Sequence, residues 1–262
     1  MSLAPRFIAL IDRVAEHPNA LLLLDYDGTL VPIRSRPGLA RLDAEHRKTM
    51  GRLHGTHLKL AMMSGRSVRN LKERVALADI GYGGVFGLEV TSPGWRYIHP
   101  HAKALRPALA GLVITLQELY KDLPGVLVED KEAGLTLHYR NVPDKLHAEF
   151  SRRLEKARKM SSPQLDWNRG KAAWEVVPKT TWNKGKAALM LWRRLGRPFL
   201  LAIGDDPFDE PMLLAAQKHG GAGIRVGEGP SKADFRVKDP EEVHRFLRAL
   251  ADRAALSSLR RR

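Results

Sequence analysis

Hydrophobic residues along this chain recur in two patterns, and their alternation predicts an α/β fold. Four segments are apolar at nearly every position, as expected for strands covered on both faces: residues 21–25, 58–64, 83–90 and 199–205. Strands that alternate with helices imply a doubly wound parallel sheet. The other predicted elements of this layer are an N-terminal amphipathic helix with Phe7, Leu10 and Val14 inward, a helix capped by Ser67 that runs to about Val75, helices at 184–195, 211–217 and 241–251, and short strands at 224–226 and 235–237.

The pattern changes in the middle of the chain, where residues 95–178 predict a second domain of α+β type. Strands are predicted at 126–131, 135–141, 164–167 and 173–177, with a helix at about 143–160. In the stretch LTLHYRN, the apolar face carries Leu135, Leu137 and Tyr139. The polar face carries Thr136, His138 and Arg140. The predicted core domain is therefore split into residues 1–94 and 179–262.

Composition narrows the class of protein. The 262 residues are 44% hydrophobic, enough for one large core with a smaller second domain. The chain has no cysteine, which excludes disulfides and thiolate metal sites. No apolar run reaches the roughly 20 residues that a membrane-spanning helix needs, and the N-terminus lacks the basic-then-apolar layout of a signal peptide. We therefore expect a cytoplasmic protein with no membrane partner.

The net charge of +15 raises nucleic acid as a partner. However, the basic residues are spread through helix-like segments and are not interleaved with aromatic side chains as a stacking platform would be. The charge therefore indicates a solvated basic surface, and a nucleic-acid-binding protein is kept only as an alternative of a different class. The sequence carries no signal for oligomeric state, and a monomer is compatible with it.

The stretch LLLLDYDGTL, residues 21–30, joins the first predicted strand to a pair of carboxylates. In an open α/β sheet, ligands bind at the carboxyl ends of the strands. Asp25 emerges at that end, and Asp27 begins a turn helped by Gly28. Two carboxylates at such an edge can hold a hard dication and can also do covalent chemistry. A single DxD pair is a weak signal, because most such pairs lie in solvated loops.

Four motifs in order make the signal specific. They are D-x-D-G-T with Asp25 and Asp27, MMSGR with Ser64, NKGK with Lys184, and AIGDDPFDE with Asp205, Asp206 and Asp209. The set resembles the haloacid dehalogenase superfamily of phosphatases. The resemblance implies a haloacid-dehalogenase-like catalytic core built on the doubly wound parallel sheet.

The resemblance also implies a role for each motif. Asp25 would attack phosphorus and form an aspartyl-phosphate, and Asp27 would protonate the leaving alkoxide and then deprotonate the hydrolytic water. Ser64 and Lys184 would hold the phosphate oxygens, with Gly65 and Arg66 also among the substrate-binding residues. The implied cofactor is Mg²⁺. Its implied metal-binding residues are Asp25, Asp27 (through its carbonyl), Asp205, Asp206 and Asp209.

The spacing of the motifs locates the second domain. Asp27 and Ser64 are 37 positions apart, whereas 120 positions separate Ser64 from Lys184. The extra domain at 95–178 must therefore lie in the second gap. This arrangement is similar to the superfamily branch with an α+β cap (C2-type) inserted between the second and third motifs. Members of that branch usually act on sugar phosphates or small phosphoesters.

Three stretches resemble the trehalose-6-phosphate phosphatase family: GLEV at 87–90, VEDKEAGLTLHYR and WEVVPKTTWNKGKAA. By position, the resemblance implies that sugar hydroxyls, which need both donors and acceptors, are contacted by Glu129, Lys131, Arg140 and Glu175. The chain departs from the family pattern at Phe208, where the fourth motif usually has threonine, and at Phe86, where the third-strand turn usually has histidine.

The sequence therefore predicts a Mg²⁺-dependent phosphatase that hydrolyses trehalose 6-phosphate, with a small-molecule sugar phosphate as its partner. An enzyme of the same branch that acts on another sugar or glycosyl phosphate is the alternative.

Overall fold

The computed structural model describes residues 4–34, 37–170 and 172–259 and divides the chain into two units. The first, called the core unit, comprises the residues up to Arg96 and those from Trp182 onward. The second, called the cap unit, is Tyr97–Thr181. The boundaries expected from the sequence were 95 and 178. Within the described ranges, no helix combines the length and the apolar character that crossing a membrane requires.

Strands and helices alternate through most of the chain. The strands are β1 Ala20–Leu24, β2 Lys59–Met63, β3 Gly81–Gly84, β4 Glu89–Ser92, β5 Trp95–Ile98, β6 Leu127–Asp130, β7 Leu135–His138, β8 Leu165–Gly170, β9 Ala173–Pro178, β10 Phe199–Gly204, β11 Ala222–Val226 and β12 Phe235–Val237. The helices are α1 Pro5–Glu16, α2 Ala44–His54, α3 Val68–Val75, α4 Pro100–Ala104, α5 Arg106–Leu119, α6 His147–Met160, α7 Lys184–Arg194, α8 Glu210–Lys218 and α9 Pro240–Leu259.

The larger sheet has eight strands in the order β12-β11-β10-β1-β2-β3-β4-β5. Each neighbouring pair from β12 to β3 is parallel, and β4 runs antiparallel to β3. The predicted α/β fold with a parallel sheet is confirmed.

The strand β1 shows why the leucine run is apolar at every position. Leu22 and Leu24 pack into a layer with α1, α2, α3 and α9, while Leu21 and Leu23 pack into a layer with α7 and α8. Both faces of the strand are buried, so neither face tolerates a polar side chain. Only the ends of the strand are therefore near solvent, and Asp25 directly follows its carboxyl end.

The predicted single strand at 83–90 is wrong. The strand β3 ends at Gly84, a 3₁₀ turn follows at Val85–Gly87, and the chain reverses into β4. Val85 and Phe86 take left-handed backbone angles, with φ of 48° and 58°. Because non-glycine residues rarely adopt this region, an apolar stretch such as GGVFGLEV gives no sign of the turn.

The cap unit has a four-stranded antiparallel sheet in the order β6-β7-β9-β8. Leu135, Leu137 and Val176 pack with apolar residues of α5 and α6. The register places Glu129 and Glu175 on either side of Thr136, on the polar face. The predicted strand at 135–141 ends three residues early, at His138. Arg140 therefore lies in a turn beyond β7 and is exposed.

Candidate active site

Three loops of the core unit bring predicted catalytic residues to one edge of the sheet. The strands β10, β1 and β2 are adjacent and parallel. Asp205, Asp25 and Ser64 directly follow the last residues of these strands. Because the carboxyl ends of parallel strands share an edge, the three side chains are neighbours there. All three are buried, with 8%, 4% and 2% of their surface exposed.

Lys184 joins the acids from the first turn of α7. Asn183 caps this helix by accepting from the backbone N–H of Lys186, which fixes where the lysine leaves the helix. Its Nζ donates to Asp25 Oδ1 at 2.8 Å and to Asp209 Oδ1 at 2.5 Å. Burial lowers the pKa of Lys184, but the carboxylates of Asp209 and Asp25 outweigh burial and raise that pKa above its ordinary value. Lys184 is a buried ammonium ion.

Asp209 fixes the loop that carries the other two acids of its motif. Its Oδ2 accepts from the backbone N–H groups of Asp205 and Asp206, at 3.0 and 2.9 Å. Its Oδ1 is the second acceptor of Lys184. The side chain of Asp206 accepts from Phe208 N at 2.9 Å and completes a reciprocal capping box. Both oxygens of Asp209 are thus occupied by protein donors.

The buried acids outnumber the buried base. One carboxylate oxygen each from Asp25, Asp205 and Asp209 lies within 4.8 Å of the others, and Lys184 forms ion pairs with two of them, Asp25 and Asp209. Burial raises the pKa of the Asp25 carboxyl well above its ordinary value. Lys184 opposes that rise, and Asp209 and Asp205 add to it. Excess buried negative charge with oxygen ligands is the environment that a hard dication such as Mg²⁺ fits.

Gly28 allows the backbone after Asp27 to lie close to the carboxylate of Asp205. Its φ is +83°, and a Cβ built on it would lie 2.1 Å from Asp205 Oδ2. Any other residue would therefore collide with the carboxylate and would also strain the backbone. The neighbouring Thr29 is fully buried, with its hydroxyl 3.4 Å from Asp205 Oδ1.

Asp27 is held separately from the acid cluster. Its side chain is 35% exposed, whereas that of Arg66 is 6% exposed. Arg66 donates from Nε to Asp27 Oδ2 at 2.5 Å and from Nη2 to Oδ1 at 2.6 Å. Asn70 accepts from Arg66 Nη1 at 2.9 Å, and the guanidinium carbon lies 5.3 Å from the ring centre of Tyr26. This two-point contact fixes the plane of the Asp27 carboxylate.

Ser64 and Gly65 lie in a tight loop after β2. Ser64 Oγ accepts from Arg66 N at 3.3 Å, and Ser64 N donates to Gly83 O at 2.9 Å. Gly65 lies against the ring of Phe86, because a Cβ on Gly65 would be 2.9 Å from Phe86 Cζ. The loop therefore places a hydroxyl at the same edge as Asp25.

The predicted sugar-binding residues all lie in the cap unit, and three of them, Glu129, Lys131 and Glu175, make polar contacts there. Glu175 Oε2 accepts from Lys131 Nζ at 3.1 Å and from Thr136 Oγ1 at 2.7 Å. Glu129 Oε2 lies 2.9 Å from His138 Nε2. Lys131 is 4% exposed.

Sequence reasoning missed several side chains that position the predicted ones: Thr29, Asn70, Thr136 and His138. Each is a polar residue inside a motif-bearing stretch, but no spacing rule distinguishes it from a solvated neighbour. The contacts of Thr29 with Asp205 and of Thr136 with Glu175 join segments far apart in sequence, which a local pattern does not reveal.

Comparison with known proteins gives a consistent result. The profile of the family described as trehalose-phosphatase matches residues 23–241. The chain is 28% identical over 259 residues to trehalose-phosphate phosphatase B of Arabidopsis thaliana, covering 92% of this chain and 69% of that protein. It is 30% identical over 266 residues to probable trehalose-phosphate phosphatase H of the same plant, covering 94% of this chain and 75% of that protein.

A solved structure shows the same fold. The crystal structure of a trehalose-6-phosphate phosphatase related protein superposes with a TM-score of 0.79 at 24% identity, covering 90% of this chain and 99% of that one. The superposition extends over both units, so the inserted cap unit is part of the shared fold.

Proposed function

The chain belongs to the trehalose-phosphatase family, and from this premise we propose that it is a phosphoric monoester hydrolase that converts trehalose 6-phosphate to trehalose and phosphate. One observation carries the chemistry. Asp25 is buried and bonded to Lys184, while Asp27, two residues on, is partly exposed and held by Arg66. Two carboxylates in such different surroundings suit two different roles.

Asp25 is the proposed nucleophile. Lys184 holds its Oδ1, and no described residue donates a hydrogen bond to its Oδ2. A carboxylate with one oxygen fixed and the other available is oriented for attack on phosphorus. The attack forms an aspartyl-phosphate and expels the sugar alkoxide, and water then hydrolyses the aspartyl-phosphate.

Asp27 is the proposed acid and base. It protonates the leaving sugar oxygen in the first step and takes a proton from water in the second. Arg66 orients this carboxylate by its two-point contact. In this proposal Arg66 therefore acts on the substrate mainly through Asp27, and direct contact with phosphate stays a prediction.

Ser64 and Lys184 are the proposed phosphate ligands. Lys184 is a buried cation beside the nucleophile, so it can neutralise charge on the transferring phosphoryl group. The Ser64 hydroxyl and the backbone at Gly65 lie in the loop after β2 and supply hydrogen bonds from the neighbouring strand.

Asp25, Asp205 and the carbonyl of Asp27 are the proposed protein ligands of Mg²⁺. When bound, the ion supplies charge neutralisation for the phosphoryl oxygens. Asp206 and Asp209 complete or orient the site. The contacts of Asp209 favour orientation, since both of its oxygens accept from protein donors.

The cap unit is the proposed source of sugar recognition, through Glu129, Lys131, Arg140 and Glu175. Among the described residues, Lys131 Nζ has one acceptor, Glu175. An ammonium group has three donors, so two stay available for sugar hydroxyls. The polar face of a sheet that is otherwise packed with apolar residues suits a ligand rich in hydroxyl groups.

The decisive experiment measures phosphate release from a panel of sugar phosphates with and without Mg²⁺. We expect trehalose 6-phosphate to give the highest kcat/KM, and release to require the ion. Preference for another sugar or glycosyl phosphate would favour the alternative substrate while keeping the chemistry. Absence of release from every member of the panel would overturn the proposal. A cytoplasmic location and a monomeric state stay predictions, to be checked by fractionation and by light scattering.

A further inference from the structure

Two half-buried aromatic rings lie together at the catalytic edge of the core unit. Phe86 and Phe208 have ring centres 4.8 Å apart and ring planes inclined by 41°. Phe86 belongs to the turn after β3, and Phe208 to the turn after β10. The two turns are far apart in sequence, and the structure brings their rings into contact.

The turn that carries Phe86 is strained and firmly tied. Val85 and Phe86 are both left-handed, and Val85 is β-branched, which makes this conformation especially unfavourable. Val85 N donates to Arg66 O at 2.8 Å, and Phe86 N donates to Ser64 O at 3.0 Å. Trp182 Nε1 donates to Gly87 O at 2.8 Å. Strain that the surroundings maintain in this way is concentrated at functional sites.

Both rings lie against loops that carry proposed catalytic residues. Phe86 contacts Gly65, between Ser64 and Arg66. Phe208 lies between Asp206 and Asp209 in sequence, and its N–H is bonded to the Asp206 carboxylate. The pair therefore bridges the loop after β2 and the loop after β10.

Core packing does not account for the pair. Neither ring belongs to the two apolar clusters that fill the layers on either side of the eight-stranded sheet. Both are partly exposed, although an aromatic side chain buries a large apolar area when it is covered. Ligand sites combine such aromatic surfaces with a few polar groups.

We propose that Phe86 and Phe208 form an aromatic wall that contacts the leaving group of the phosphate ester and determines specificity. The wall favours alcohols with a ring that presents a C–H face, such as a pyranose, over esters of small acyclic groups. This inference rests on the proposed function, because it names a further contact of the same site.

The test compares two substrates on Phe86→Leu and Phe208→Leu. Trehalose 6-phosphate has rings beyond the phosphate, whereas ethyl phosphate, a monoester of a small acyclic alcohol, has none. Loss of the apolar contact is expected to reduce kcat/KM for trehalose 6-phosphate roughly five- to thirtyfold, mainly through KM. The loss for ethyl phosphate should be at least fivefold smaller. The inhibition constant of inorganic phosphate should change by less than the inhibition constant of trehalose.

Phe235→Leu is the matched control. Phe235 is also half-buried and pairs with another ring, Phe7, with ring centres 5.4 Å apart, but it lies on β12, away from the motif loops. Its replacement should lower stability without separating the two substrates.

The outcomes distinguish the inference from the proposed function. Equal losses on both substrates would show that the rings support the loops, and no loss on either would show that they are surface residues. Either result would overturn the inference that the rings contact the leaving group, but neither would contradict the proposed phosphatase activity. A wild type that hydrolyses another ring phosphate instead of trehalose 6-phosphate overturns the proposed substrate, and the wall is then tested on that ester. A wild type that hydrolyses no ring phosphate overturns both.

Discussion

The core unit and the cap unit both bury charged side chains, but they balance the charges differently. At the carboxyl edge of the core sheet, three buried acids, Asp25, Asp205 and Asp209, lie together, and Lys184 forms ion pairs with Asp25 and Asp209. On the polar face of the cap sheet, Lys131 forms an ion pair with Glu175 at 3.1 Å, and His138 Nε2 lies 2.9 Å from Glu129 Oε2. One set has excess negative charge, whereas Lys131 and Glu175 neutralise each other.

This difference in charge balance indicates which set needs a ligand and which can be purely structural. Burying an uncompensated charge costs several kcal/mol, so the core cluster is unfavourable for the protein alone and favourable once a cation joins it. A balanced pair needs no further partner and can be purely structural. The core site can therefore be tested by its response to metal, whereas the cap pairs need a comparison of substrates.

The largest expected effect is on the nucleophile. Asp25→Asn is nearly isosteric, but an amide is a far poorer nucleophile, so turnover of trehalose 6-phosphate should fall by about 10⁴-fold or more. The fold should be kept, as judged by circular dichroism. Asp43→Asn is the matched control, because Asp43 belongs to none of the four motifs and its amide oxygen can still accept from His46 N, and its loss should be much smaller. Near-normal turnover in purified Asp25→Asn would exclude the covalent mechanism.

Metal removal should have the second largest effect. A chelator should abolish activity and lower the free energy of unfolding, and Mg²⁺ at 100 times its Kd should restore about 2.7 kcal/mol. Asp205→Asn removes one of the three clustered carboxylates. Without metal it should be as stable as the wild type or more stable, while losing both activity and the response to Mg²⁺.

The stability readout separates the two units. Glu175→Gln in the cap unit should keep the full response to Mg²⁺. If wild-type stability does not depend on the ion, or if Asp205→Asn keeps that dependence, the excess charge at the core edge serves another purpose.

The core site was largely predictable because its motifs end buried strands. An apolar run that stops at a carboxylate places Asp25 at a sheet edge, and the same reasoning applies to Ser64 and Asp205. The apolar pattern did not predict the turn at Val85–Gly87, because its left-handed residues are valine and phenylalanine, which disfavour that conformation; only the family resemblance placed Phe86 in a turn. The contact of Phe86 with Phe208 joins two distant turns, so sequence reasoning did not reveal it.

The cap face was only partly predictable. Alternation correctly placed Thr136 and His138 opposite Leu135 and Leu137. It did not show that β7 ends before Arg140, because two-residue alternation can continue by chance into a turn. The alternation also did not identify hydrogen-bond partners, because the bonds of Glu175 to Lys131 and Thr136 join three separate segments.

A smaller expected effect belongs to the cap pair. Lys131→Ala should reduce kcat/KM for trehalose 6-phosphate about ten- to a hundredfold, because a charged hydrogen bond to a sugar hydroxyl is lost. Hydrolysis of p-nitrophenyl phosphate, which lacks the sugar, should change little. Glu175→Ala should behave in the same way. Equal losses on both substrates would show that the Lys131–Glu175 pair supports the structure and does not recognise the sugar.

The smallest effect tests the physical premise of the comparison, which is that burying a charge without an opposite charge is unfavourable. His244 on α9 is 1% exposed and lies 2.7 Å from Leu30 O, with its Nδ1 unpartnered among the described residues. Its ring is stacked on that of His46, with ring centres 3.3 Å apart. Burial lowers the pKa of His244 from 6.5 to about 4, although the bond to Leu30 O opposes the shift.

The sign of the pH dependence follows from this lowered pKa. The unfolded chain takes up a proton near pH 6.5, but the folded chain does so only near pH 4, so stability from this group is full above pH 6.5 and is lost as the pH falls towards 4. Between pH 7 and 5.5 the loss should be about 1 kcal/mol, measured by urea unfolding. His244→Gln keeps an N–H donor for Leu30 O but does not titrate, whereas His244→Leu does neither. Both variants should flatten the pH dependence by the same amount, and only His244→Leu should also lose the hydrogen bond at pH 7. An undiminished slope in His244→Gln would show that this burial does not control protonation, and the argument from excess charge at the core edge would weaken with it.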